Sequence, residues 1–144
     1  VIDISQKRIV AGEDEMLVLG AELAEGLQPG DLVTLDGPLG AGKTTLVRGI
    51  LRGIGHDGPV RSPTFTLIQL YDTKPPVLHA DLYRLKSAAG LGLEEFECSH
   101  VLLVEWSDRL ENLFDRTLSW QIEIGFGDEG GRWVSILPPS RYSI

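Results

Sequence analysis

Nine residues, Gly37-Pro38-Leu39-Gly40-Ala41-Gly42-Lys43-Thr44-Thr45, have the types and spacing of a polyphosphate cradle, G-x-x-x-x-G-K-[ST]. A chain of phosphates carries several negative charges. Glycines at 37, 40 and 42 let backbone N–H groups turn inward because no Cβ obstructs the approach. Leu39, Ala41 and Thr45 complete the loop around the ligand. Lys43 is placed to set its ammonium on the β- and γ-phosphates, and Thr44 to offer a hydroxyl to Mg²⁺.

Such a loop works with a second acidic group, held at a strand end, that positions the metal and a water molecule. Asp81, in His79-Ala80-Asp81-Leu82-Tyr83, and Glu105, in Val104-Glu105-Trp106, both qualify. Glu105 follows the most apolar run of the chain, and open α/β sheets bind ligands at the carboxyl ends of their parallel strands. Thr64 follows a rigid Ser62-Pro63 turn and either brings a hydroxyl to the metal as a switch or is an ordinary turn threonine. Trp106 either closes over a nucleotide or packs at its strand end, and His79 either assists proton transfer or is structural.

The elements that must hold these residues are legible on both sides of the loop. Leu32-Val33-Thr34-Leu35 is a short apolar strand leading in. Leu46, Val47, Ile50 and Leu51 recur at helical spacing leading out, until Gly53, Gly55 and Gly58 break the helix near Ile54. Upstream, Met16, Leu17, Leu19, Leu23, Ala24 and Leu27 follow a 3.6-residue period from Glu13 to Gly26, with acidic residues in the first turn. This predicts a helix covering one face of a sheet. The first ten residues read as an irregular edge strand.

Downstream, the alternating stretch 64–71 and the run Val77 to Leu85, joined by Asp72-Thr73-Lys74-Pro75-Pro76, predict an antiparallel hairpin. Ser87 to Glu97 reads as short helical turns. Val101-Leu102-Leu103-Val104 reads as a buried parallel strand, and Asp108 to Phe114 as a further short helix. Leu118 to Phe126 and Arg132 to Leu137, joined across Gly-Asp-Glu-Gly-Gly, predict a final hairpin. The fold class is therefore α/β: a P-loop NTPase-like three-layer sandwich with a mixed sheet, an inserted antiparallel hairpin and a C-terminal hairpin.

At 144 residues the chain is the size of one domain, 1–144, and 42% hydrophobic with 24% charged residues is a globular balance. No apolar run reaches the roughly 20 residues needed to cross a bilayer. The N-terminal residues lack a basic segment followed by an apolar one, so the expected location is the cytoplasm. A net charge of -8 repels a nucleic-acid backbone, so service to an RNA would pass through other proteins. The single cysteine, Cys98, reads as a half-buried packing residue beside Phe96 and Val101.

Together, the loop 37–45, Ser62-Pro63-Thr64-Phe65-Thr66-Leu67, Asp81-Leu82-Tyr83-Arg84-Leu85 and Val104-Glu105-Trp106 resemble the TsaE (YjeE) family of bacterial ATPases. The resemblance runs from Glu13 to about Asp108, with the final hairpin fitting in outline. It implies an ATP- and Mg²⁺-dependent protein required for making threonylcarbamoyladenosine in tRNA. Such a protein would act on the TsaD–TsaB transferase pair and meet tRNA only indirectly. Carried onto this chain, it gives Lys43, Asp81 and Glu105 catalytic roles, Mg²⁺ to Thr44 and Glu105, and a switch role to Thr64. Trp106 becomes a neighbour of the nucleotide, and Glu13, at the start of the first helix, a neighbour of the adenine. Arg132 of the final hairpin is a further candidate for nucleotide contact.

Three other readings use the same loop. A small-molecule kinase would carry an arginine-bearing lid, whereas the arginines here are scattered. A GTPase would carry N-K-x-D, which is absent. A nucleotide-dependent adaptor that does not use hydrolysis is consistent with the lack of an obvious strong general base.

Overall fold

The computed structural model describes residues 7–60 and 67–140. In chain order the elements are β1 (Arg8–Val10), α1 (Glu13–Ala24), β2 (Leu32–Asp36), α2 (Lys43–Ile54), β3 (Ile68–Tyr71), β4 (Val77–Asp81), β5 (Val101–Glu105), β6 (Ser119–Phe126) and β7 (Arg132–Leu137). The strands form one sheet in the order β1-β7-β6-β2-β5-β4-β3. Its centre is parallel: β2 lies between β5 and β6, and β5 in turn runs parallel to β4. Both expected hairpins are present, β3–β4 and β6–β7, each antiparallel, and β1 pairs antiparallel with β7 as an edge strand. The anticipated turn carrying Thr64 lies outside the described residues.

The central strands read as unbroken apolar runs because both faces of the sheet are covered. On one face, Met16, Leu19 and Leu23 of α1 and Leu46, Val47, Ile50 and Leu51 of α2 pack on Val33, Leu35, Leu103, Trp120, Ile122 and Ile124. The helices meet backbone to backbone. A Cβ built on Gly20 would lie 2.6 Å from the Leu46 carbonyl oxygen, and one on Gly49 would lie 2.5 Å from that of Leu17. Gly53, read from sequence as part of a helix break, sits inside α2, where its Cβ would lie 2.7 Å from that of Ala24. It serves the crossing, and α2 stops at Gly55, which is left-handed at φ 114°.

The opposite face buries Leu78, Ala80, Leu102, Val104, Leu110 and Phe114. Its cover is irregular. The helix expected over Asp108 to Phe114 is only a 3₁₀ turn at Ser107–Leu110, interrupted where Glu111 takes a positive φ of 53°. Leu110 and Phe114 still reach the sheet, so burial is satisfied without helix. Leu93–Phe96 forms a second 3₁₀ turn, and the two stretches are tied by the Ala88 N–H donating to the Arg109 carbonyl at 2.8 Å. Cys98, expected to be half buried, is exposed, because the chain turns outward after Phe96. No helix among the described residues is long and apolar enough to cross a membrane.

Candidate functional site

The loop leaves β2 at Asp36 and is shaped by its glycines. A Cβ on Gly37 would meet the Ile124 carbonyl oxygen at 2.3 Å, and Gly40 and Gly42 adopt φ of 80° and 114°. The N-cap residue of α2 is Gly42, which has no side chain to cap the helix, and the first turn, with its positive dipole end, borders the loop's cavity at Lys43, Thr44 and Thr45. The loop is clasped from outside by Arg132 of β7. Its guanidinium donates to the carbonyls of Ala41 at 3.1 Å and Gly40 at 3.3 Å, and lies 4.7 Å from the centre of the Phe126 ring. Within the loop the Ala41 N–H donates to the Pro38 carbonyl at 3.1 Å, closing a turn that Arg132 braces from the other side.

Lys43 is 95% covered and bends back on the loop, donating to the Gly37 carbonyl and at 3.4 Å to that of Pro38. Its ammonium lies 4.3 Å from the centre of the Trp106 ring. Burial pulls the Lys43 pKa below its ordinary value, against the opposing pull of Glu105, Asp81 and Asp36. Those three carboxylates end the adjacent strands β5, β4 and β2, with Asp81 level with Glu105 and Leu35 level with Glu105. An anionic ligand that entered here would meet a cation already desolvated.

Each carboxylate is held differently. Asp81 accepts the Tyr83 N–H at 3.0 Å, and Glu105 Oε2 meets His79 Nε2 at 2.6 Å with both side chains buried. Asp36 accepts from the Ser107 backbone N–H at 2.8 Å and from its hydroxyl, and Arg116 donates to that hydroxyl at 3.0 Å. Asp36 therefore ties the entrance of the loop to the turn that follows Trp106. That turn is tight: Trp106 has φ 59° and ψ 55°, and its ring lies 4.8 Å from that of Tyr83.

Two adjoining cavities result. One of about 280 Å³ is lined by Leu39, Gly40, Gly42, Lys43, Thr44, Thr45, Asp81, Glu105 and Trp106. The other, about 220 Å³, shares Gly40, Gly42 and Thr45 and adds Ala41, Glu13, Met16 and Arg132. The structure thus gathers the site residues named from sequence into two neighbouring spaces, except Gly37, which lies in the loop as the acceptor of Lys43, and His79, which is buried against Glu105; Thr64 lies outside the described residues. Glu13 also pairs with Arg48 at 3.0 Å. Sequence reasoning missed Asp36 and Ser107, and it did not connect His79 to Glu105. The position of Asp36 directly before Gly37 was the one available signal.

The donor set suits magnesium. The Thr44 hydroxyl and the Glu105 carboxylate are hard oxygen donors on one cavity that could hold it, with the Asp81 carboxylate beside them, and a buried hydrogen bond fixes one oxygen of Glu105.

Asp81 carries a testable cost. Burial pushes its carboxyl above the usual range, helped by Glu105 and opposed by the Tyr83 N–H, His79 and Lys43. A raised folded pKa means the folded protein binds the proton more tightly than the unfolded chain, so stability falls as pH rises through that range. Asp81→Asn keeps the acceptor for Tyr83 and removes the charge. Its thermal midpoint without nucleotide at pH 7 is expected to rise by about 2–5 °C, with the gain vanishing below about pH 4. Differential scanning fluorimetry across pH checks this, and a lower midpoint at pH 7 would contradict it.

Comparison with known proteins places these features in a wider set. The family model described as threonylcarbamoyl adenosine biosynthesis protein TsaE matches residues 10–132. A tRNA threonylcarbamoyladenosine biosynthesis protein TsaE from Nostoc sp. (strain PCC 7120) is 38% identical over 145 residues, covering 95% of this chain and 88% of the relative. Its Bacillus subtilis (strain 168) counterpart is 41% identical over 118 residues, 74% of this chain and 75% of that protein. The crystal structure of YdiB from Bacillus subtilis superposes with a TM-score of 0.81 at 32% identity, over 94% of this chain and 86% of that one.

Proposed function

Because this chain belongs to the TsaE family of tRNA threonylcarbamoyladenosine biosynthesis, we propose that it is the Mg²⁺-dependent ATPase of that modification, acting on the TsaD–TsaB transferase pair in the cytoplasm and meeting tRNA only through the complex. The observation that supports this reading is the convergence, on one cavity, of a glycine loop at a helix N-terminus, a desolvated lysine and carboxylates from adjacent parallel strands.

In this reading Lys43 exchanges the Gly37 and Pro38 carbonyls for phosphate oxygens. The loop N–H groups and the start of α2 take the remaining phosphate charge. Thr44 and Glu105 would hold Mg²⁺, which would supply positive charge against the developing charge of the phosphates. Asp81, beside Glu105, orients the water that attacks the γ-phosphorus as its bond to the β–γ bridging oxygen breaks and ADP leaves with those electrons. Trp106 leaves Lys43 when phosphate takes its place, and its turn, tied through Ser107 to Asp36, passes the change to the surface. The neighbouring cavity at Glu13 and Arg132 receives the base.

ATP turnover measured with and without purified TsaD–TsaB tests the proposal. Turnover is expected to rise when the pair is added and to fall by about a hundredfold in Glu105→Ala. Negligible hydrolysis with the pair present, together with Glu105→Ala that still supports modification, would establish a nucleotide-dependent adaptor instead.

A further inference from the structure

Among the described residues, His79 is a buried titratable side chain beside the carboxylates at the ends of β4 and β5 that the phosphate chemistry leaves unused. It is fully buried on β4, two residues before Asp81, and its partner is the carboxylate that ends the neighbouring strand. In the β4–β5 register His79 is level with Leu103 and Asp81 with Glu105, so the His79–Glu105 contact is the diagonal one across the same sheet face. The 2.6 Å separation between Nε2 and Oε2 is short, as expected for a hydrogen bond to a charged oxygen.

The rest of the imidazole says which way that bond runs. Nδ1 has no hydrogen-bond partner among the described residues. The tautomer with its hydrogen on Nε2 leaves only a lone pair without a partner there, which costs less than burying an unpaired N–H. Nε2 then donates and Oε2 accepts. Glu105 is covered to 97%, so without this donor one of its oxygens would be buried with no other donor to replace it among the described residues. With it, the carboxyl plane is fixed, and the second oxygen is left for the cavity shared with Thr44.

We propose that His79 is a positioning residue for the metal site: its Nε2–H donates to Glu105 Oε2 and orients the carboxylate so that the other oxygen meets Mg²⁺. The role resembles that of outer hydrogen-bond partners at metal sites generally, whose loss costs about 10–100-fold in metal affinity. This inference rests on the proposed Mg²⁺ role of Glu105.

The test reads metal affinity rather than turnover. Binding of a fluorescent ATP analogue is titrated with Mg²⁺ in wild type, His79→Leu and His79→Gln. His79→Leu is expected to need about 10–100 times more Mg²⁺ for its half-maximal effect while binding the analogue equally in EDTA. His79→Gln supplies an amide donor from a similar reach and is expected to recover most of the loss. An unchanged Mg²⁺ requirement in His79→Leu, or an equal loss in both variants, overturns the inference. No Mg²⁺ effect in wild type would instead overturn the metal reading of Glu105. Because His79→Leu alters the core, the wild-type protein supplies a second measurement that needs no variant. Long-range ¹H–¹⁵N correlation is expected to find the hydrogen on Nε2 and a shift there when Mg²⁺ and nucleotide are added. A hydrogen on Nδ1, or an Nε2 signal indifferent to Mg²⁺ that does act on nucleotide binding, overturns the positioning role.

Discussion

Lys43→Ala is expected to weaken ATP binding by at least about a hundredfold and to reduce threonylcarbamoyladenosine in tRNA to the level seen when the protein is depleted. The lysine is already stripped of most of its water, and its acceptors among the described residues are the carbonyls of Gly37 and Pro38. Phosphate oxygens are better partners for an ammonium than neutral carbonyls, and each charged hydrogen bond is worth about 1.5–3 kcal/mol. Two such bonds amount to about 3 kcal/mol or more, or a factor of about 10² in affinity. Nucleoside mass spectrometry of tRNA after depletion, with rescue by wild type or Lys43→Ala, reads the cellular outcome. Normal modification with Lys43→Ala would remove the nucleotide from the proposed mechanism.

Gly49→Ala is expected to lower the unfolding free energy by about 2–4 kcal/mol, even though alanine is the better helix former by about 1 kcal/mol. The added methyl would lie 2.5 Å from the Leu17 carbonyl oxygen and 2.9 Å from the Leu17 Cα. Both belong to the backbone of α1, so no rotamer change can relieve the contact. The helices must separate, and the packing of Leu19, Leu23, Leu46 and Ile50 loosens with them. A fall of the thermal midpoint by about 8–15 °C is the expected readout. A midpoint within about 2 °C of wild type would mean that the crossing yields readily.

What was legible in the sequence was local. The loop, the apolar runs of β2 and β5 and the two hairpins are encoded by short-range spacing, and each appears where that spacing puts it. The carboxylates Asp81 and Glu105 could be placed at strand ends by the same means, and sheet pairing then brought them level. Features that depend on which distant segments become neighbours were not legible. The His79–Glu105 bond is a diagonal contact set by strand register, and Ser107 reaches Asp36 across 71 positions of sequence. Gly49 and Gly53 look alike in sequence to a helix-ending glycine, yet both make room for another backbone. The cover over Leu110 and Phe114 failed as a helix because apolar spacing reports that residues are buried and not which backbone carries them.

The helix crossing also limits what the site can accommodate. α1 opens on the cavity at Glu13, α2 opens on the cavity at Lys43 and Thr44, and the two touch through Gly20 and Gly49 with no side chain between them. Nothing in that contact can be compressed, so the span between the two helix starts acts as a fixed gauge. On the proposed reading, a nucleotide seated at both ends is sorted by its length. Any yielding to what lies beyond the β-phosphate falls to the opposite wall, where Trp106 and the strand ends stand and, among the described residues, a 3₁₀ turn follows in place of an α-helix.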